Sequence, residues 1–111
     1  MIDTAREGPI LIAGLSGRID GTNARQVQTE LESALGDDDR RLLLDFADLS
    51  YISSAGLRVV LLVARQLDQK GGQLAVCSLS ESISEIFKIS GFDKIINVHA
   101  DRPAALADLQ G

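Results

Sequence analysis

The chain has 111 residues and a net charge of −5, and 45% of its residues are hydrophobic while 24% are charged. This length fits one domain with a single core, and the composition is that of a soluble globular protein. The negative charge disfavours phosphate backbones and anionic membranes, and an aromatic content of 4% without Trp leaves few side chains that could stack on bases. We therefore expect no nucleic-acid binding and no membrane binding.

Apolar runs alternate with helical patterns along the chain. Short apolar runs beside turn residues indicate strands, and apolar residues that recur at helical spacing indicate helices. The predicted elements are strands over residues 2–6 and 10–13, a helix over 24–35, a strand over 41–46, a helix over 54–69, a strand over 73–77, a helix over 80–90, a strand over 94–98 and a helix over 101–109. This order predicts one α/β domain over residues 1–111, with a small mixed, mostly parallel sheet and crossover helices.

The location of the protein is predicted from what the sequence lacks. The first residues, M-I-D-T-A-R-E-G-P, contain neither the basic segment nor the hydrophobic segment of a secretion signal, and no apolar run reaches the ~18 residues of a membrane span. Cys77 is the only cysteine and lies in an apolar run, which predicts a small buried side chain. We expect a cytoplasmic protein.

Residues suited to catalysis or cofactor binding are scarce. His99 is the only histidine, which excludes a multi-histidine metal site. Its place in a polar loop near the C-terminus predicts a solvated surface side chain rather than a member of a Ser-His-Asp triad. The sequence has neither a P-loop nor a G-x-G-x-x-G motif. We therefore expect no enzymatic activity and no cofactor.

Asp45 raises one alternative, because it lies near the end of a strand, as phosphate-accepting aspartates do in response-regulator receiver domains. Asp20 and Lys94 are the nominal acidic and lysine partners for such a site. The acidic pair usual at the end of the first receiver strand is missing, however, and the order of elements differs. The preferred interpretation is that Asp45 accepts backbone hydrogen bonds in the loop before the next helix.

The junction between the third strand and the helix after it contains two adjacent serines, Ser53 and Ser54, followed by Ala55 and Gly56. A serine at a helix start caps backbone N–H groups and contributes about 1 kcal/mol. One serine is enough for a cap, and glycine in the first turn costs about 1 kcal/mol relative to alanine. The alternative is a site where a phosphate or a phosphorylating enzyme approaches the helix N-terminus closely.

The stretch D-L-S-Y-I-S-S-A-G-L-R closely resembles the motif D-L-S-x-x-D-S-[ST]-G-L of STAS domains, the anti-sigma factor antagonist family. Three further segments resemble the same family in the same order, namely G-R-I-D-G-T-N-A, G-G-Q-L-A-V-C-S-L-S and I-F-K-I-S-G-F-D-K-I-I. The resemblance covers nearly the whole chain. It implies a single STAS domain over residues 1–111, with helices packed mainly on one face of the sheet.

The resemblance also implies roles for individual residues. Ser54 falls at the position of the phosphorylated serine, and Gly56 and Leu57 fall on the family's Gly-Leu pair. Asp20 falls on the aspartate before the first helix, which lies near the phosphoacceptor in this fold. Asp45 takes a position that is often Asp or Asn.

Two residues depart from the family motif. Ser53 stands where the family has Asp, and Ala55 stands where the family has a second hydroxyl residue. Ser54 is therefore the expected phosphorylation site, and Ser53 is the less favoured alternative. The residues expected to contact a partner are Asp20, Ser53, Ser54, Ala55, Gly56 and Arg58.

The resemblance implies an anti-sigma factor antagonist that acts as a phosphorylation-controlled partner switch. The unphosphorylated form would bind an anti-sigma factor with serine kinase activity and release the sigma factor, and phosphorylation at Ser54 would abolish binding. A PP2C-type phosphatase is a further expected partner, and we expect a monomer or weak dimer. The alternative is a STAS scaffold or adaptor subunit of a signalling complex or lipid-transport system, which is never phosphorylated.

Two predictions concern the geometry of this region. The first assigns the sheet-facing side of the helix from Ser54 to Leu57, Val60, Leu61, Ala64 and Leu67. Val59, Leu62 and Val63 are expected to pack against other helices or face a partner, and Arg58 and Arg65 to share a polar side. The second prediction is that Asp20 lies near Ser54, because loops at the same ends of parallel strands come together.

Overall fold

The computed structural model describes residues 1–110, which form a five-stranded sheet and four α-helices. In chain order the elements are β1 (Ile2–Glu7), β2 (Ile10–Ile19), α1 (Ala24–Ala34), β3 (Arg41–Ile52), α2 (Ser54–Gln69), β4 (Gln73–Cys77), α3 (Glu81–Ser90), a 3₁₀ turn (Phe92–Lys94), β5 (Asn97–His99) and α4 (Arg102–Gln110). The predicted order of strands and helices is confirmed.

The strands lie side by side in sequence order, from β1 to β5. β1 runs antiparallel to β2, and each later neighbour is parallel to the one before it. In the tight turn between β1 and β2, Gly8 has a φ of +58°, a left-handed conformation that glycine adopts without strain. The parallel connections bring the carboxyl ends of β2, β3 and β4 to one edge of the sheet, where α1, α2 and α3 begin.

Helices cover the two faces of the sheet unequally. α1, α2 and α3 pack over the larger apolar cluster, which includes Leu42 and Leu44 of β3. α4 lies on the opposite face, where Ala105 and Leu109 pack on a smaller cluster that includes Leu43. Successive residues of a strand point to opposite faces, so the continuous apolar run in β3 reflects cover on both sides. Packing mainly on one face is confirmed, with α4 as the exception.

The single cysteine lies on the α4 side of the sheet. Cys77 is fully buried within the smaller cluster, as the sequence predicted. Burial raises the pKa of the Cys77 thiol above its usual range. The thiol is therefore protonated at neutral pH and behaves as a small apolar side chain.

β2 and β3 extend well beyond the predicted strands over 10–13 and 41–46. β4 stops opposite Asp45, so residues 46–52 of β3 pair with β2 alone. This extension has exposed residues on one side, and two register shifts in its pairing with β2, each with one extra residue in β3, disturb the alternation of β3. The sequence pattern revealed only the part of each strand that is covered on both faces.

The last strand is shorter and later than the predicted strand over 94–98. Gly91, with a φ of +78°, ends α3 in a left-handed conformation. The Phe92 ring then packs edge-to-face on Phe87, with ring centroids 5.9 Å apart. This aromatic contact holds the chain in a 3₁₀ turn, so only residues 97–99 reach β4 and pair with it.

Candidate functional site

The N-terminus of α2 begins directly after β3. Ser53 is the N-cap, and its Oγ accepts a hydrogen bond from the Gly56 N–H at 3.3 Å. The Ser53 N–H donates to the Ile19 carbonyl at 2.8 Å, which ties the helix start to the end of β2. Ser54 is the first residue of the helix and is exposed. The cap and the exposed hydroxyl therefore belong to different serines.

Gly56 is buried where α2 crosses the strand ends. A Cβ at this position would lie 2.7 Å from Ile52 Cγ1 and 2.8 Å from Ile19 Cγ2. The sequence indicated that something approaches the Gly56 backbone closely. The structure shows that the side chains of Ile19 and Ile52 do so, and that they fill the space where a Cβ would lie. Glycine in the first turn lets the helix start sit directly on the ends of β2 and β3.

Asp20 follows Ile19 and lies at the same edge of the sheet as Ser53. Its Oδ1 accepts hydrogen bonds from the Thr22 hydroxyl at 2.6 Å and the Thr22 N–H at 2.9 Å. The Asn23 Oδ1 accepts from the Asp20 N–H at 2.9 Å instead of capping α1. The Thr22 hydrogen bonds, with a smaller contribution from Arg18, lower the pKa of the Asp20 carboxyl. Asp20 is therefore a fixed negative charge in the loop beside the start of α2.

Arg18 and Tyr51 are two residues near this edge that the sequence analysis did not single out. The Arg18 guanidinium lies over the Tyr51 ring, 4.3 Å from its centroid, and both side chains are exposed. They are paired in the β2–β3 register, one position before Ile19 and Ile52. Only the strand register brings them together, and the extent of these strands was the part of the fold that the sequence pattern missed.

The buried side of α2 agrees with the predicted one only in part. The buried residues are Gly56, Leu57, Val59, Val60, Val63 and Leu67. Leu61 and Ala64, predicted to face the sheet, are only partly buried, whereas Val59 and Val63 are buried beneath neighbouring elements. The face rotates because α2 packs on α1 as well as on the sheet, with Gln66 Nε2 donating to Glu32 Oε2 at 2.9 Å.

The outer side of α2 carries Ser54, Arg58, Leu62 and Arg65, which we call the α2 stripe. All four residues are exposed, and Leu62 exposes 38% of its surface. Their spacing of about one turn places them along one side of the helix. No carboxylate occurs between Ser54 and Leu67, and neither arginine takes part in an ion pair within residues 1–110. The predicted shared side of Arg58 and Arg65 is confirmed.

A second polar group lies on the α4 face. Asp45 accepts from the Ala47 N–H at 2.9 Å and from Arg102 at 2.8 and 3.0 Å. It does accept a backbone hydrogen bond, but from inside β3 and not in a loop. Its carboxylate is bound to α4, which agrees with rejection of the receiver-domain alternative. Within residues 1–110 no group of three potential metal-ligating His, Cys, Asp or Glu side chains is present.

The prediction for His99 was wrong. The side chain is only 22% exposed and lies on β5, with Nε2 3.0 Å from Asp108 Oδ2. The same carboxylate oxygen also accepts from Gln73 Nε2 and Asn97 Nδ2. α4 folds back over the sheet edge and covers the residue, so His99 helps to fix α4 and is not a solvated loop residue.

Nearly the whole chain matches one known family. The family model described as "STAS domain" matches residues 1–105, and the chain therefore belongs to the STAS domain family. None of the helices within residues 1–110 is long and apolar enough to cross a membrane.

Two relatives show which proteins are similar to this chain in sequence. The protein BtrV of Bordetella bronchiseptica, named as a candidate anti-sigma factor antagonist, is 49% identical over 98 residues, which are 88% of this chain and 84% of BtrV. The anti-sigma F factor antagonist of Paenibacillus polymyxa is 30% identical over 105 residues, which are 91% of this chain and 87% of that protein.

Two solved structures share the fold. A candidate anti-sigma factor antagonist of Thermotoga maritima superimposes with a TM-score of 0.94 at 15% identity, covering 99% of this chain and 95% of that one. The Bacillus cell fate determinant SpoIIAA in its phosphorylated form superimposes with a TM-score of 0.75 at 19% identity, covering 97% of this chain and 98% of that one. The chain therefore has the STAS fold.

Proposed function

We propose that this protein is an anti-sigma factor antagonist that works as a phosphorylation-controlled partner switch. The observation that carries the proposal is the exposed Ser54 at the head of the α2 stripe. The names of the relatives, both anti-sigma factor antagonists, support the same role. The protein acts by binding in the cytoplasm, as a monomer or weak dimer, and performs no catalysis of its own.

The proposed modification takes place at the Ser54 hydroxyl. An anti-sigma factor with serine kinase activity binds this edge of the molecule and transfers the γ-phosphoryl group of ATP to Ser54 Oγ. The hydroxyl proton passes to a base of the kinase, and ADP is released. A phosphatase of the PP2C type hydrolyses the phosphoserine and restores the binding form.

Ser54 is favoured over Ser53 by the hydrogen bonds of the helix start. The Ser53 Oγ caps α2 through the Gly56 N–H, and Ser53 is half-buried. Transfer to Ser53 would require the cap to be released, which costs about 1 kcal/mol. Ser54 accepts the phosphoryl group without loss of any hydrogen bond within residues 1–110.

The proposed docking surface consists of the α2 stripe and the loop that carries Asp20. Arg58 and Leu62 offer a basic and an apolar contact one and two turns beyond Ser54. Ala55 is half-buried at the margin of this surface, and Gly56 is buried, so Gly56 acts by seating α2 on the strand ends. Such a surface fits a partner with acidic groups around an apolar pocket.

One phosphoryl group is sufficient for the switch. It adds about −1.5 to −2 charges at neutral pH. In a packed interface that charge must be desolvated, and a thousandfold loss of affinity corresponds to only about 4 kcal/mol. A large change in the fold is therefore unnecessary, and the modification can act through the contact surface alone.

In the test, each variant is incubated with labelled ATP and the purified serine kinase of the same organism. Ser54→Ala is expected to bind the kinase but to incorporate no phosphate. Ser54→Asp is expected to bind at least tenfold more weakly by calorimetry, because its carboxylate carries part of the charge of a phosphate. Ser53→Ala is the control and is expected to retain most of the phosphate incorporation.

Two results would contradict the switch. One is phosphate incorporation by Ser54→Ala at the wild-type level, and the other is wild-type affinity in Ser54→Asp. Stable binding to a signalling complex or a transporter, with no phosphate at Ser54 in the protein isolated from its own cells, would support the adaptor alternative instead.

A further inference from the structure

Arg58 lies one helical turn after Ser54 on the same exposed side of α2. We propose that Arg58 is the counter-ion, within the same chain, for a phosphoryl group on Ser54. Phosphorylation would then remove a basic side chain from the docking surface in addition to introducing a negative charge. This inference rests on the proposed function, because it describes the modified form of Ser54.

The helical spacing carries the first step. Residues four positions apart are neighbours on a helix surface, with an axial separation of about 6 Å. An acidic group placed before a basic group at this spacing is the favourable orientation. A phosphoserine at position 54 and the guanidinium of Arg58 have this order, and phosphate oxygens accept two hydrogen bonds from a guanidinium fork.

The second step is that Arg58 is uncommitted in the unmodified protein. Within residues 1–110 the side chain is exposed and has neither an ion pair nor a hydrogen bond. Arg102 and Arg6, in contrast, are each bound to a carboxylate. Arg58 can therefore rotate towards a new anion without breaking any contact.

The other charged groups near Ser54 are less suited to this role. Asp20 is ionised and repels a phosphate. Arg18 is stacked on Tyr51 and already interacts with Asp20. Arg65 lies eleven residues after Ser54, about 16 Å along the helix axis, which is beyond the reach of a side-chain pair.

A phosphoryl group on Ser54 would change the net charge of the α2 stripe. Before modification the stripe carries two arginines and no acid. A phosphoryl group of about −1.5 to −2 charges cancels both. An acidic partner that recognises Arg58 would then lose a contact and gain a repulsive one, so recognition would fail for two reasons at once.

The experiment needs neither kinase nor partner, because phosphoserine can be incorporated at position 54 during translation through an expanded genetic code. Phosphorus NMR then gives the second pKa of the phosphate as a function of pH. In Arg58→Gln this pKa is expected to be about half a unit higher than in the wild type, a threefold change in proton affinity. Arg58→Lys should retain most of the wild-type value.

Arg65→Gln is the matched control and should leave the phosphate pKa unchanged, because it removes the same charge from the same helix side. Equal phosphate pKa values in the wild type and Arg58→Gln would overturn the proposal. A larger shift in Arg18→Gln than in Arg58→Gln would also overturn it, because the counter-ion would then be Arg18. Since the titration involves no partner, its result is independent of whether a kinase modifies Ser54.

Discussion

Gly56 illustrates how a single residue fixes the site. Its backbone lies so close to Ile19 and Ile52 that any Cβ would overlap both side chains. Both isoleucines are almost fully buried and are β-branched, so neither can move aside easily. The position of Ser54 therefore depends on the absence of one carbon atom two residues further along the helix.

Gly56→Ala is expected to destabilise the protein by about 1–2 kcal/mol, because the overlap exceeds the gain of about 1 kcal/mol in helix propensity. Urea unfolding measures this difference. Gly21→Ala is the control, since nothing lies within 4 Å of a Cβ at that position and its φ is not left-handed. Equal stability of Gly56→Ala and the wild type would show that the helix start moves freely on the strand ends.

The two adjacent serines are expected to contribute to different properties, Ser53 to the stability of the fold and Ser54 to the proposed modification. Ser53→Ala removes the hydroxyl that accepts from the Gly56 N–H, and it is expected to lower the free energy of unfolding by about 1 kcal/mol. Ser54→Ala removes an exposed hydroxyl and should change the stability by less than about 0.5 kcal/mol. Urea unfolding of the two variants provides the comparison, and a larger loss in Ser54→Ala would contradict the assignment of the cap.

At the scale of elements, the sequence predicted what depends on local pattern. The bounds of α2 agree with its apolar spacing and its serine cap, and Gly91 ends α3 as expected. The sequence predicted only part of the buried side of α2, because the burial of the remaining residues depends on how α1 packs against the helix. The extension of β3 to Ile52 was also missed, since it is stabilised by pairing with β2 and not by cover on two faces.

An ion pair joins β1 to the loop before β3. Arg6 contacts both carboxylate oxygens of Asp39, at 2.7 and 2.8 Å. This pair, together with the Gly36 N–H, lowers the pKa of the Asp39 carboxyl to about 2, from an ordinary value of 3.8. Because the folded pKa is depressed, the pair stabilises the fold fully above pH 3.8, and the contribution disappears as the pH falls through 2.

Arg6→Gln is expected to lower the free energy of unfolding only slightly at neutral pH, since Arg6 is half exposed and solvent screens the pair. The difference from the wild type should shrink as the pH falls from 4 to 2. Urea unfolding across this range measures it. Arg25→Gln, which removes an exposed arginine without an ion pair in residues 1–110, should show no such pH dependence.

At the scale of the whole molecule, the sheet separates the surface proposed for partner recognition from α4, which stabilises the opposite face. The α2 stripe lies on the side of the larger cluster, and α4 is fixed on the opposite face by polar contacts at both of its ends. Arg102 binds Asp45 near the start of α4, and Asp108 accepts from the strand side chains near its end. Disturbance of α4 should therefore change stability without changing recognition at Ser54.

Asp108→Ala tests this separation. The variant removes the acceptor shared by Gln73, Asn97 and His99, and because these donors are exposed or only partly buried, a loss of about 1 kcal/mol in unfolding free energy is expected. Phosphate incorporation at Ser54 should remain at the wild-type level at a temperature where the variant is folded. Arg65→Gln, in the α2 stripe, should show the reverse pattern, with stability within about 0.5 kcal/mol of the wild type and weaker binding to the kinase. Loss of phosphorylation in folded Asp108→Ala would mean that α4, on the far side of the sheet, takes part in recognition.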